Sequence, residues 1–233
     1  MVPTRLLKAV AGVFLLPVCW VASKTFFEEF RGAAVQHHFW STDEFFFFAW
    51  GALAWVFMFF VYPRPLLVYV FGHELTHALW VWMQGGRVSA FQVGREGGYI
   101  IADRRDFLVS LAPYFFPLYS MVVIAVYAGL DWYYPEAWLY RRWLFAAIGF
   151  TWGFHVSFTL WMIPKRQTDL LLHGTFFSLV VIYLANLAVL TVMLIVACPQ
   201  VHWAKFEQHF LHNATAWCRW VCDEIGWDPP RLW

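Results

Sequence analysis

The residues with the clearest chemical potential lie in one short stretch, Gly72-His73-Glu74-Leu75-Thr76-His77. On an α-helix, the two histidine side chains share one face because they are one helical turn apart, and Glu74 follows the first of them. Two imidazoles at this spacing can bind a zinc ion, and the carboxylate can take a proton from a water that the metal activates. The sequence therefore predicts that His73 and His77 are zinc ligands and that Glu74 is a catalytic base.

The motif lies inside an apolar run, Pro65 to Met83, and the whole chain is apolar. Of its 233 residues, 61% are hydrophobic, 22% are aromatic and only 13% are charged, whereas soluble domains average about 25% charged residues. This composition indicates an integral membrane protein whose partners include the lipid bilayer. A net charge of +1 argues against a nucleic-acid partner. Because polar side chains inside a membrane are costly, the motif needs a functional reason.

The apolar stretches predict an all-α polytopic membrane protein with about six transmembrane helices and a short β-hairpin after the motif helix. The expected spans are 9–22, 45–62, 65–83, 107–130, 138–163 and 169–197. The first could instead be a cleaved secretory signal, since basic residues precede it. Three parts are expected: two N-terminal spans with a polar connection (1–64), a metalloprotease-like membrane core (65–197) and an amphipathic C-terminal tail (198–233).

The segment from Arg87 to Asp106 alternates in a way that indicates a hairpin, with Gly97-Gly98 as the expected turn. A plain connecting loop is the alternative. An exposed hairpin edge next to a hydrolytic site can bind an extended peptide by adding a strand. We therefore predict that substrate contacts come from hairpin residues, namely Arg87, Val88, Phe91 and Tyr99.

A catalytic zinc ion usually has three protein ligands, so the two histidines need a third. The expected order of the spans brings three residues to the membrane depth of the histidine pair: Asp169, His155 and His173. The charge of Asp169 could offset that of a metal ion, but this residue could also cap the start of a helix. Depth and spacing leave the three candidates open.

The run from Phe71 to Leu79 resembles the motif helix of the site-2 protease family, which are intramembrane zinc metalloproteases widespread in bacteria. The glycine pair after it, the β segment and the proline-bearing span that starts with Leu111-Ala112-Pro113 are similar to that family's order, so the resemblance covers about residues 65–197. It implies that the third zinc ligand is an aspartate near the start of a later core helix, which corresponds to Asp169. It also implies a bacterial inner (cytoplasmic) membrane protein with a cytoplasmic hairpin.

The chain departs from the family's pattern around this aspartate. The usual ligand motif is Leu-Asp-Gly preceded by Asn-x-x-Pro, whereas here Leu170 follows Asp169 and Trp161 stands where the asparagine is expected. The family's substrate-carbonyl contact is therefore not carried over. His155 is a candidate for that polar, substrate-binding role.

Together these features predict an intramembrane zinc endopeptidase that uses Zn²⁺ to cleave membrane-protein substrates. The alternative is a non-catalytic membrane protein, such as a transporter, an assembly factor or a degenerate protease homologue. In that case the histidine pair would serve the structure of the core or bind a metal without catalysis.

Overall fold

The computed structural model describes residues 4–134, 136–165 and 167–227, most of which are helical. The described helices are α1 (Thr4–Gln36), α2 (Asp43–Val61), α3 (Leu66–Met83), α4 (Phe107–Leu111), α5 (Leu118–Tyr133), α6 (Arg141–Met162), α7 (Thr168–His173), α8 (Thr175–Ala197) and α9 (Trp203–Glu224). Two strands, β1 (Val88–Gly94) and β2 (Gly97–Ala102), follow α3. Short 3₁₀ turns connect several of these elements.

Among the described residues, four helices are long and apolar enough to cross a membrane, namely α1, α2, α6 and α8. The pair α4 and α5 adds a fifth span if it is counted as one, although its two parts are bent by 79°. The motif helix α3 is not among these spans, because its two histidines and glutamate lower its hydropathy. The fold is therefore that of an all-α membrane protein with a short hairpin. Four or five candidate spans are found among the described residues, and the six that were expected are not confirmed.

Two of the expected spans have different boundaries in the structure. The first is one helix of 33 residues, because the helical pattern continues through the polar stretch after Ser23. The sixth is broken at Gly174, whose φ of +88° favours glycine and interrupts the helix. This break separates α7, which carries Asp169, from the long helix α8.

The predicted hairpin is confirmed, but its turn lies elsewhere. β1 and β2 pair antiparallel with Gly94 opposite Gly97, so the turn is Arg95-Glu96 and the two expected turn glycines belong to β2. A Cβ atom on Gly98 would lie only 2.7 Å from Cγ of Glu74. The absence of a side chain at this position therefore lets β2 pack directly on the motif helix.

The described residues form two compact units, one within 40–182 and the other within 1–39 and 183–233. In the first unit, α2 and α6 approach so closely that a Cβ on Gly51 would lie 1.9 Å from the carbonyl oxygen of Ala146. Small residues permit such backbone contact between membrane helices. Buried aromatic rings extend this core toward α3, where Tyr69 stacks on Phe158 with centroids 4.6 Å apart.

In the second unit, polar contacts join α9 to α1. The amide of Asn213 donates to Glu28 at 2.7 Å and to Thr25 at 3.1 Å. The buried Glu29 pairs with His209 and with Lys205. The predicted tail is therefore largely the helix α9, with residues 228–233 outside the described part of the chain.

Candidate metal centre and its pocket

The helix α3 brings the two motif histidines together. Its helical geometry places His73 and His77 one turn apart on the same face, and their Nε2 atoms are 3.2 Å apart. His77 is 7% exposed. Two lone-pair nitrogens therefore point to one position in the interior of the unit.

The short helix α7 supplies a carboxylate at the same position. The Oδ2 atom of Asp169 lies 3.2 Å from Nε2 of His73 and 3.5 Å from Nε2 of His77. The hydroxyl of Tyr114 donates a hydrogen bond to the same oxygen at 3.2 Å. Of the three candidates for a third ligand, Asp169 is thus the one that the structure brings to the histidine pair.

The spacing of these three atoms fits a zinc ion. Ligand atoms bound about 2.0–2.2 Å from zinc with tetrahedral angles are about 3.4 Å apart. The three observed separations are 3.2, 3.2 and 3.5 Å. Two imidazoles and one carboxylate also leave the fourth position open, as in catalytic zinc sites. In the described ranges, this is the only set of three or more His, Cys, Asp or Glu side chains close enough to share a metal ion.

Hydrogen bonds to the second ring nitrogens hold both imidazoles in place. Nδ1 of His77 lies 2.8 Å from the carbonyl oxygen of Val109, which can only accept. Nδ1 therefore carries the proton, and Nε2 keeps its lone pair for a metal. On the other ring, Nδ1 of His73 lies 3.3 Å from the hydroxyl of Tyr69.

The broken span after the hairpin provides two of these supporting groups. Val109 lies on α4, and Tyr114 lies in the 3₁₀ turn that follows it, just before the 79° bend. Pro113 and Pro117 flank this bend. Proline cannot donate the backbone hydrogen bond that a continuous helix needs, so these residues interrupt the helix. The bent segment therefore supplies the groups that orient His77 and Asp169.

A pocket of about 490 Å³ contains the three candidate ligands. Glu74, which is 7% exposed, lines the same pocket. Strand β2 forms another wall through Gly97, Gly98, Tyr99, Ile100 and Ala102. This volume is within the range of small-molecule and peptide-residue pockets, about 300–1,000 Å³. The candidate base, the candidate ligands and one strand edge thus share one cavity.

Only Tyr99 among the predicted substrate-binding residues lines this pocket. Arg87, Val88 and Phe91 lie outside its lining because β2, and not β1, borders the cavity. The ring of Phe91 instead packs edge-on against Phe71, with centroids 6.0 Å apart.

The other two candidates for a third ligand, His155 and His173, do not belong to the candidate ligand set. His155 lines a second, smaller cavity together with Gly72, His73 and Tyr119. Its buried Nε2 atom has no hydrogen-bond partner within the described part of the chain. His173 is buried, and its Nε2 lies 3.1 Å from the hydroxyl of Ser110. His173 and Asp169 lie on the same short helix, α7, but they have different partners. His173 contacts Ser110 of α4, whereas Asp169 reaches the motif histidines.

Several residues at the site were not found from the sequence. Tyr69 precedes His73 by one helical turn, so the spacing alone could have indicated it. Tyr114 was not predictable in this way, because its contact depends on the bend. Arg104 and Arg105 also line the pocket, and their position directly after the hairpin was the available signal.

Comparisons with protein-family models, with curated proteins and with solved structures found no match for this chain. The family resemblance of the motif helix therefore stays a prediction from the sequence. Any assignment of function depends on the chemistry and geometry of the residues described above.

Proposed function

We propose that this chain is a zinc-dependent intramembrane endopeptidase that hydrolyses peptide bonds in membrane-protein substrates. One observation carries the proposal: a nitrogen of His73, a nitrogen of His77 and an oxygen of Asp169 are spaced as zinc ligands. The carboxylate of Glu74 lines the same pocket. A structural histidine pair would not require a carboxylate at this spacing or a neighbouring acid in an accessible cavity.

The residues have distinct parts in this reaction. When bound, a zinc ion polarises the scissile carbonyl and makes water more acidic. Glu74 accepts a proton from the attacking water, whose oxygen bonds to the carbonyl carbon. Glu74 then delivers that proton to the nitrogen as the C–N bond breaks. Tyr114 and Val109 hold the ligand side chains in orientation through their hydrogen bonds.

The hairpin is suited to hold the substrate. Among the described strands, β2 pairs with β1 alone, and it borders the pocket. An extended peptide can therefore pair with its backbone and lie next to the candidate metal ligands. A membrane helix would have to unwind locally to bind in this way, since strand pairing uses the backbone groups that a helix pairs internally.

The substitution Glu74→Gln tests the proposal. The full chain, purified in detergent, is assayed for cleavage of a single-span model substrate and for bound zinc. We expect the variant to keep about one zinc ion per chain, and to lose at least about 100-fold in cleavage rate. Glu207→Gln is the matched control, because Glu207 is exposed on α9.

Two results would contradict the proposal. Wild-type-like cleavage by the Glu74→Gln variant would remove the catalytic role of this carboxylate. If the wild-type chain holds less than about half a zinc ion and gains none when zinc is added, the non-catalytic alternative is favoured.

A further inference from the structure

One end of the pocket is basic. Arg104 and Arg105 follow β2 after a single residue, are exposed, and line the same cavity as the candidate ligands. At the opposite end of β2, the hairpin turn places Glu96 in the lining. Apart from this residue, the described acidic groups in the lining are Glu74 and Asp169. The two ends of the pocket therefore carry opposite charge.

Two carboxylates, Asp103 and Asp106, flank the arginines of the basic end in the sequence. Asp103 accepts a hydrogen bond from the backbone N–H of Arg87 at 2.8 Å, and Asp106 accepts one from the backbone of Val109 at 2.9 Å. The neighbouring carboxylates are thus engaged by the backbone. None of the ion pairs that the described residues form includes either arginine of the pocket. Their guanidinium groups are therefore available to donate hydrogen bonds to a ligand.

The start of this segment is held against the end of the motif helix. A Cβ atom on Gly86 would lie 2.7 Å from Oδ1 of Asp103 and 3.0 Å from Cδ of Arg104. The stem of Arg104 therefore packs closely on the backbone after α3. This contact reduces the conformational entropy that its guanidinium would lose on binding.

We infer that Arg104 and Arg105 bind a carboxylate of the substrate and make the pocket select peptides that are acidic at this end. The inference rests on the proposed peptidase function and names its substrate class. Guanidinium groups match carboxylates through paired, charge-assisted hydrogen bonds. A peptide strand paired along β2 is about 20 Å long and would extend from Glu96 to the arginines. The carboxylate is either an Asp or Glu side chain or the peptide's C-terminus.

Direct peptide binding tests the inference separately from cleavage. The full-length Glu74→Gln variant in a neutral maltoside detergent is titrated with apolar peptides that carry a neutral coumarin label. The peptides differ only in an Asp, Ser or Lys pair placed near either end, with an amidated C-terminus. A further Ser peptide with a free C-terminus distinguishes a terminal carboxylate from a side-chain carboxylate.

We expect the preferred Asp peptide to bind about tenfold more tightly than the Ser peptide, since each partly exposed ion pair contributes up to about fivefold. In an added Arg104→Gln/Arg105→Gln background this preference disappears, and Arg104→Glu/Arg105→Glu reverses it in favour of Lys. Arg95→Gln is the matched control, because it removes a guanidinium from the same hairpin but outside the pocket lining. It should leave the preference unchanged.

Equal binding of the Asp, Ser and Lys peptides would overturn the inference, as would an equal loss of preference in the Arg95→Gln control. Loss of the preference in nanodiscs that contain phosphatidylglycerol would assign the arginines to lipid phosphate and would also overturn it. A failure of the proposed function has a different signature, because the wild-type chain would then bind these peptides without cleaving any of them.

Discussion

Gly98 lies where β2, the strand proposed to bind substrate, packs against the candidate base, so Gly98→Ala is a sensitive test of the site. A Cβ at this position would lie 2.7 Å from Cγ of Glu74, 2.7 Å from the carbonyl oxygen of Gln92 and 2.9 Å from Cγ1 of Val70. Contacts between such atoms are normally about 3.5 Å or longer. The added methyl group therefore requires shifts of about 0.6–0.8 Å. β2 has to move away from α3, or Glu74 has to leave its present position, and the Gln92 carbonyl of β1 also has to move.

The expected effect on activity follows from this displacement. A misplacement of about 1 Å in an enzyme site can lower the rate by about 100-fold. We therefore expect Gly98→Ala to reduce cleavage by about 10- to 100-fold. Overpacking also lowers the free energy of unfolding by about 1–3 kcal/mol. Bound zinc should stay at the wild-type level, because none of the three crowded atoms belongs to a candidate ligand.

The assay combines single-substrate cleavage, zinc content and thermal unfolding in detergent. Gly94→Ala is the matched control, because a Cβ at this position of β1 would meet only the oxygen of Gly97, at an ordinary 3.4 Å. The reasoning is refuted if Gly98→Ala cleaves and unfolds like the wild type. Equal damage from Gly94→Ala would show that the hairpin is generally intolerant and that contact with Glu74 is not the cause.

Three further predictions concern the ligand set and its surroundings. Asp169→Asn should weaken zinc binding by at least about 100-fold, measured by competition with a chelating dye, and unchanged affinity would remove Asp169 from the ligand set. Gly51→Leu should lower the unfolding free energy by about 1–3 kcal/mol or more in thermal melts, because even a Cβ there would lie 1.9 Å from a carbonyl oxygen of α6, and an unshifted melting temperature would contradict the close crossing. His155→Leu should keep zinc and cleavage, and should unfold at the same or a higher temperature, since the Nε2 atom it removes is buried without a partner among described residues. A clear loss of stability in that variant would show that this nitrogen has a partner.

Local features of the site were predictable from the sequence. The approach of His73 and His77 follows from helical geometry, which repeats every turn and needs no distant contact. The hairpin followed from alternation, but its turn was misplaced. Glycine pairs favour turns, so Gly97-Gly98 was expected to be the turn, whereas the turn is Arg95-Glu96. Gly98 is instead part of β2, where a residue without a side chain is needed for packing on α3. The membrane class followed from composition, since few charged residues are available to cover a soluble surface.

The number of spans was less predictable. Counting apolar stretches gave six, because such a count assumes that each stretch forms one straight helix. In the described chain, the segment around Pro113 and Pro117 is bent, so it counts as a span only if its two helices are taken as one. Gly174 shortens the last stretch to α8 without removing it from the count. The motif helix itself is less apolar than a typical span, because it carries the residues of the site.

The sequence by itself contained the motif, and it predicted a class of chemistry and three candidates for a third ligand. Tertiary structure alone placed Asp169 at the histidine pair, 96 positions from His73, with His77 held by Val109 from 32 positions away. Residue counting gives only the depth of a side chain along a helix axis. The rotation of that helix and its lateral position depend on packing between distant segments. This packing therefore determined that Asp169, and not His155 or His173, faces the two imidazoles.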